Sequence, residues 1–168
     1  MNNTPYYPKP DPNITKAPGR NLLLVTGILF IVFNAIGAMT IPFTLLTIEF
    51  WLPMFGGEAM RYAWIFVYVA GILLSLFAVV VGILGVAFCN KPDRAGVLIG
   101  LAVMTIVLSI LYNIVYAANI LSFSDGLGIF TVITIPVTLV LPVLYIAGAA
   151  KNKKAADFAD QYGYRGQR

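Results

Sequence analysis

The chain has 168 residues, of which 60% are hydrophobic and 11% charged, with a net charge of +4 and a mean hydropathy of +0.86. A soluble domain carries roughly 25% charged residues, and its core cannot hide so large an apolar fraction. Histidine is absent and Cys89 is the single cysteine, which excludes an intramolecular disulfide, a thiolate metal cage, a C-x-x-C redox pair and an imidazole base.

Residues 1–20, "MNNTPYYPKPDPNITKAPGR", hold five of the ten prolines. Such a segment favours extended, polyproline-like or disordered conformations. Four charge-free stretches follow: Asn21–Ile48, Tyr62–Asn90, Ala95–Ser124 and Gly126–Ala150, of 28, 29, 30 and 25 residues. About 20 helical residues cross a hydrocarbon core roughly 30 Å thick. A soluble bundle would place a polar residue on the outer face of nearly every turn, and these runs are apolar all round. The expected fold is therefore all-α: an integral membrane four-helix bundle with short connections, its spans at about 21–48, 62–88, 95–121 and 129–150.

The first span is read as uncleaved, because its apolar run passes through the small residues Ala35–Ala38 to Ile48. Pro42 is expected to kink it. The connection "EFWLPMFGGEAMR" is expected to lie greasily in the interface. "CNKPDRA" reads as a tight hairpin between spans two and three, in which Asn90 and Pro92 break the helix and Lys91, Asp93 and Arg94 hold the turn in water. "SFSDGLG" is a second short turn. Residues 151–168 read as a basic tail, whose first part continues the fourth helix briefly.

Sidedness follows from charge. Lys9, Lys16 and Arg20, then Lys91 and Arg94, then Lys151, Lys153, Lys154, Arg165 and Arg168 all fall on one side, and Arg61 alone falls on the other. The positive-inside rule places both termini and the hairpin in the cytoplasm. The basic excess is thus an orientation signal, and no nucleic-acid partner is expected, since a basic, aromatic-studded folded surface is missing. On the cytoplasmic side, the N-x-T patterns at Asn2 and Asn13 meet no glycosylation machinery.

The spans contain no carboxylate and no lysine beside a serine, so catalysis is not expected and no cofactor or metal is implied. Ion-coupled transport is disfavoured on the same ground, because coupling sites place ionisable groups inside the membrane. Small multidrug transporters resemble this chain in size and topology, but they need a glutamate inside the first span. The nearest here is Glu49, at its outer end.

Two residue patterns stand out. Gly71 and Ser75, Ala78 and Gly82, and Gly96 and Gly100 lie four apart, and Gly85 adds a close pair with Gly82. In lipid, such spacing lets helix backbones approach. It predicts that spans two and three pack tightly against each other, with self-association or docking to a second membrane protein as the alternative use. Second, polar residues crowd the outer halves of the spans. Thr40 and Thr44, Asn113 and Tyr116, and Thr131 and Thr134 share helical faces at similar depth. An amide in hydrocarbon seeks a partner, so these six residues are expected to line an uncharged polar pocket. The competing expectation is a closed core in which they bond one another.

The profile as a whole, and "GILGVAFCNKPDRAGVLIG" in particular, resembles small four-span membrane proteins common in Gram-positive bacteria. The resemblance implies a bacterial cell-membrane location and a bundle shape, and carries over no functional residue. Claudins and tetraspanins share only the span count, since they need large cysteine-bearing outer loops. The expected function is a non-enzymatic, multi-pass accessory or scaffold bundle that binds membrane lipid, a membrane-protein partner or a second copy of itself. The alternative is a small carrier or immunity-type protein for an apolar or neutral solute.

Overall fold

In lipid, every backbone N–H and C=O must find its partner within the protein, and a helix does this within a single segment. The computed structural model describes residues 16–55, 58–121 and 128–161. Four α-helices run through them: α1 Arg20–Phe55, α2 Glu58–Ala87, α3 Ala95–Leu121 and α4 Gly128–Gln161, with a single 3-10 turn, Pro92–Arg94, between α2 and α3. The described residues contain no strand. Arg20–Phe43, Tyr62–Ala87 and Pro92–Ala118 are long and apolar enough to cross a membrane, with mean hydropathies of 2.4, 2.8 and 2.4.

Several boundaries differ from expectation. α3 coincides with the expected third span. α1 continues seven residues past Ile48 and stays helical through both Pro42 and Pro53, so most of the supposed interfacial loop is helix. Only Gly56 and Gly57 separate α1 from α2, and neither is described. α4 is helical to Gln161, which absorbs most of the segment read as a tail. In α4 a run of good helix formers, "KNKKAADFADQ", carries the helix beyond the apolar stretch, whereas α1 runs on through "EFWLPMF" despite Pro53. The proline-rich segment 1–15, the turn at 122–127 and residues 162–168 lie outside the described residues.

The hairpin is built as its sequence suggests. Lys91, the residue before proline, adopts φ −114° and ψ 89°, the extended region that a following proline enforces. Pro92 is buried and opens the 3-10 turn. The Lys91 N–H donates to the Phe88 carbonyl at 2.9 Å and the Arg94 N–H to the Lys91 carbonyl at 3.1 Å. The Lys91 ammonium sits 5.4 Å from the centre of the Phe88 ring.

Two side-chain amides gather the chain at this end. Asn152 on α4 is wholly buried. Its Oδ1 accepts from the Gly19 N–H at 2.7 Å, and its Nδ2 donates to the Cys89 carbonyl at 2.9 Å. The Asn90 Oδ1 accepts from the Ala17 N–H at 2.9 Å. The start of α1, the hairpin and the Gly148–Asn152 stretch therefore share one end of an up-down-up-down bundle.

Helix pairing departs from the expected pattern. α1 packs most extensively with α2, followed by α3 with α4, while α2 and α3 share less despite the hairpin between them. The expectation that spans two and three are the tightest pair is corrected accordingly. The cause is where the small residues point. A side chain on Gly82 would meet the Gly27 carbonyl of α1 at 2.7 Å, and one on Gly27 would meet the Gly82 carbonyl at 2.9 Å. This reciprocal approach is what van der Waals packing in lipid rewards. Gly85 makes room for the Tyr145 ring of α4, and Gly71 for Tyr112 of α3 and Ile41 of α1. Gly96 and Gly100 have nothing within 4 Å and face outward.

The buried core lies in the hairpin half. Leu23, Phe30, Ala78, Val81, Leu98, Ala102, Tyr145 and Ala149 form one cluster drawn from all four helices. Tyr145 is its centre: the ring meets Phe30 edge-on at 5.6 Å, and the hydroxyl donates to the Val81 carbonyl at 3.0 Å. Tyr145→Phe removes one interior hydrogen bond and is expected to lower stability by about 1 kcal/mol. Tyr145→Ala also opens a cavity and should lose about 3–5 kcal/mol. Thermal denaturation of both variants in mild detergent checks the order.

Candidate functional site

Beside this core lies a cavity of about 580 Å³ lined by residues of all four helices. Pockets of 300–1,000 Å³ hold small molecules. Its floor is Phe30 of α1, Ala78 of α2, Thr105 of α3 and Pro142 of α4. Higher up, the walls are Asn34 and Ile41, Gly71 and Ser75, Ser109 and Asn113, and Thr138 and Leu141. At a rise of about 1.5 Å per residue, these levels lie roughly 14 to 32 Å from the hairpin end. The cavity therefore occupies the middle and far half of the bundle.

Among the described residues, the walls are apolar except for hydroxyls and carboxamides, and the lining includes no Lys, Arg, Asp or Glu. Among the lining hydroxyls, Thr105 donates back to the Leu101 carbonyl at 2.9 Å, which satisfies it within its own helix. Asn34 Nδ2 donates to the Phe30 carbonyl at 2.9 Å, and Asn113 Nδ2 to the Ser109 carbonyl at 2.7 Å. Each amide spends one donor this way. Asn113 is only 8% exposed.

The mouth opens sideways. Phe33 and Val140 both line the cavity, yet they are 60% and 53% exposed. α1 and α4 meet at the hairpin end, where Leu22 and Leu23 back onto Gly148 and Phe30 meets Tyr145. Beyond that contact, Phe33 of α1 and Val140 of α4 combine cavity lining with exposure, which marks the side on which the cavity opens. On the opposite side, a second cavity of about 410 Å³ lies between α2 and α3, walled by apolar residues that include Phe66, Leu73 and Leu111. Leu74 and Tyr112 border both cavities and form the partition between them.

Of the six residues expected to line an outer pocket, Asn113 lines the cavity. Tyr116 does not line it; its ring stacks on Tyr112 at 6.0 Å and meets Trp64 edge-on at 6.1 Å. Thr40 is exposed, and its hydroxyl donates to the Gly37 carbonyl at 3.0 Å. The side chains of Thr44, Thr131 and Thr134 lie outside the described residues. Ser75, placed among the packing residues, lies beside Gly37 of α1 and also lines the cavity. Asn34 and Ser109 belong to it as well. The Ser109/Asn113 stripe continued one turn inward to Thr105 would have indicated the true depth of the site.

Comparison with protein-family models, curated proteins and solved structures finds no match for this chain.

Proposed function

We propose that this chain is a non-enzymatic, multi-pass membrane protein that takes up a largely apolar, uncharged molecule from the bilayer into the cavity between α1 and α4. The observation that carries the reading is the side mouth: a cavity of about 580 Å³, uncharged among the described residues, with Phe33 and Val140 of its lining exposed. A ligand dissolved in hydrocarbon can enter such a site without crossing water. A charged ligand would lose its hydration with no counter-charge to replace it. The test is native mass spectrometry of the chain released from membranes, beside a variant in which Ala78→Phe fills the cavity floor. The wild type is expected to retain a lipid-sized adduct that the variant lacks. Equal adducts on both, or none on either, would remove the site.

In this reading α4 is a fourth span, and the bundle sits in a cell membrane with both termini and the hairpin cytoplasmic. Ten of the eleven basic residues support that orientation. A cysteine introduced by Asp93→Cys in a Cys89→Ser background is expected to resist a membrane-impermeant maleimide in intact cells and to react after permeabilisation. Reaction in intact cells would invert the orientation.

A further inference from the structure

The polar groups in the cavity wall specify more than an apolar guest. Asn113 is more than nine-tenths buried. Its carboxamide has two N–H donors and an oxygen acceptor, and one N–H is committed to the Ser109 carbonyl. Among the described residues nothing pairs with the second N–H or with Oδ1. Asn34, on α1 and half-buried, likewise has one N–H and its Oδ1 left over among the described residues after its bond to the Phe30 carbonyl. The hydroxyls of Ser75 and Ser109 face the same space, and no partner within the described residues takes them up. Three helices have thus brought two amides and two hydroxyls, with spare donors and acceptors, to one chamber whose described lining carries no charge. Buried polar groups are paired in native proteins, and an unpaired one costs about 1–3 kcal/mol. Lipid tails cannot supply that pairing.

Resting on the bilayer-ligand reading above, we propose that the ligand is a neutral amphiphile with a hydroxyl or carbonyl head, held by Asn113 and Asn34, and an aliphatic tail that leaves between Phe33 and Val140. An alcohol oxygen donates one hydrogen bond and accepts others, which matches a carboxamide that offers both. The head sits at mid-bundle, deeper than a phosphate or ammonium group can go without a counter-charge. This separates the ligand from the bulk phospholipids, whose heads are charged. A hydroxyl- or carbonyl-headed chain meets both requirements.

The experiment uses the full chain in phosphatidylcholine nanodiscs with two photoactivatable probes of equal length, a diazirine-bearing fatty alcohol and the corresponding alkane. The alcohol is expected to crosslink to α1, α3 or α4 at the cavity. Unlabelled alcohol should compete about tenfold better than unlabelled alkane or fatty-acid anion, and Asn113→Leu should erase that preference while the alkane probe still labels. Asn34→Leu should weaken it by a smaller factor. Labelling by both probes with no preference would overturn the head-group assignment and leave the cavity reading standing. Labelling by neither would overturn the cavity reading itself. Should Asn113→Leu fail to fold, the alcohol-over-alkane comparison on the wild type decides alone.

Discussion

Asn152→Leu is expected to be strongly destabilising, at a cost of about 2–5 kcal/mol. Leucine is close to asparagine in shape and suits a membrane helix, so propensity alone predicts no loss. What it removes is the acceptor for the Gly19 N–H and the donor for the Cys89 carbonyl, at 2.7 and 2.9 Å. Both groups are left in a site where Asn152 itself has no solvent exposure. Each orphaned polar group costs about 1–3 kcal/mol, and they sit on two different chain segments, so both anchors fail together. Lys153→Ala, one residue on and exposed, should stay within about 0.5 kcal/mol. Trypsin supplies a second readout, since releasing Gly19 should speed cleavage after Lys16. Equal melting temperatures for the two variants would show that the buried amide does not hold this end.

Gly82→Leu and Gly100→Leu are expected to separate widely, although the two sites look alike in sequence. A side chain at Gly82 runs into the Gly27 carbonyl at 2.7 Å and into Ile31 and Phe30 at 2.9 Å. A carbonyl on a neighbouring helix cannot rotate away as a side chain can, so α1 and α2 must move apart along their tightest contact. Overpacking usually costs about 1–3 kcal/mol, and a full isobutyl group against backbone should reach the upper end or beyond. Gly100 has open space around it, so its leucine should change stability by no more than about 0.5 kcal/mol, helped by better helix propensity. A thermal shift in detergent distinguishes the two. A large loss at Gly100 would mean that its outward face is covered by a second copy or a partner.

The parts of the fold that were legible in the sequence are those that physics decides locally. Charge-free runs of 25 to 30 residues marked the helices, and "CNKPDRA" marked the hairpin, because a proline and three charges can end a span in only one way. Helix ends were less legible. Glu49 and Lys151 stop the hydrocarbon match and leave the helix intact, so α1 and α4 overran their expected limits. Pairing was misread because adjacency in sequence favoured α2 with α3, whereas helix rotation decides which glycines meet, and Gly82 turns toward Gly27. Asn152 was hidden by its neighbours. Within "KNKK" an asparagine reads as solvated, and only the arrival of Gly19 and Cys89 from remote segments shows it to be buried.

The cavity divides along the same line. Asn113 was legible, since a lone amide in an apolar helix must face inward. Asn34, Ser75 and Ser109 gain their meaning from convergence across three helices, which no single span displays. Thr40 illustrates the opposite case: aligned with other threonines in sequence, it satisfies its hydroxyl on Gly37 of its own helix and faces out.

The two halves of the bundle have different physical tasks. The hairpin half is closed by Tyr145, Asn152 and the Gly27–Gly82 contact, which makes it a rigid base. Beside that base, the cavity is lined by residues of all four helices, with Phe33 of α1 and Val140 of α4 exposed. A ligand site that opens to lipid needs such an arrangement, because helices free to close would fill the space with their own side chains.

A structure of the full chain in lipid nanodiscs is the most direct measurement. Elongated density is expected to enter between Phe33 and Val140 and to end beside Asn34 and Asn113. A closed α1–α4 seam, with the 580 Å³ volume filled by the protein's own side chains, would contradict it.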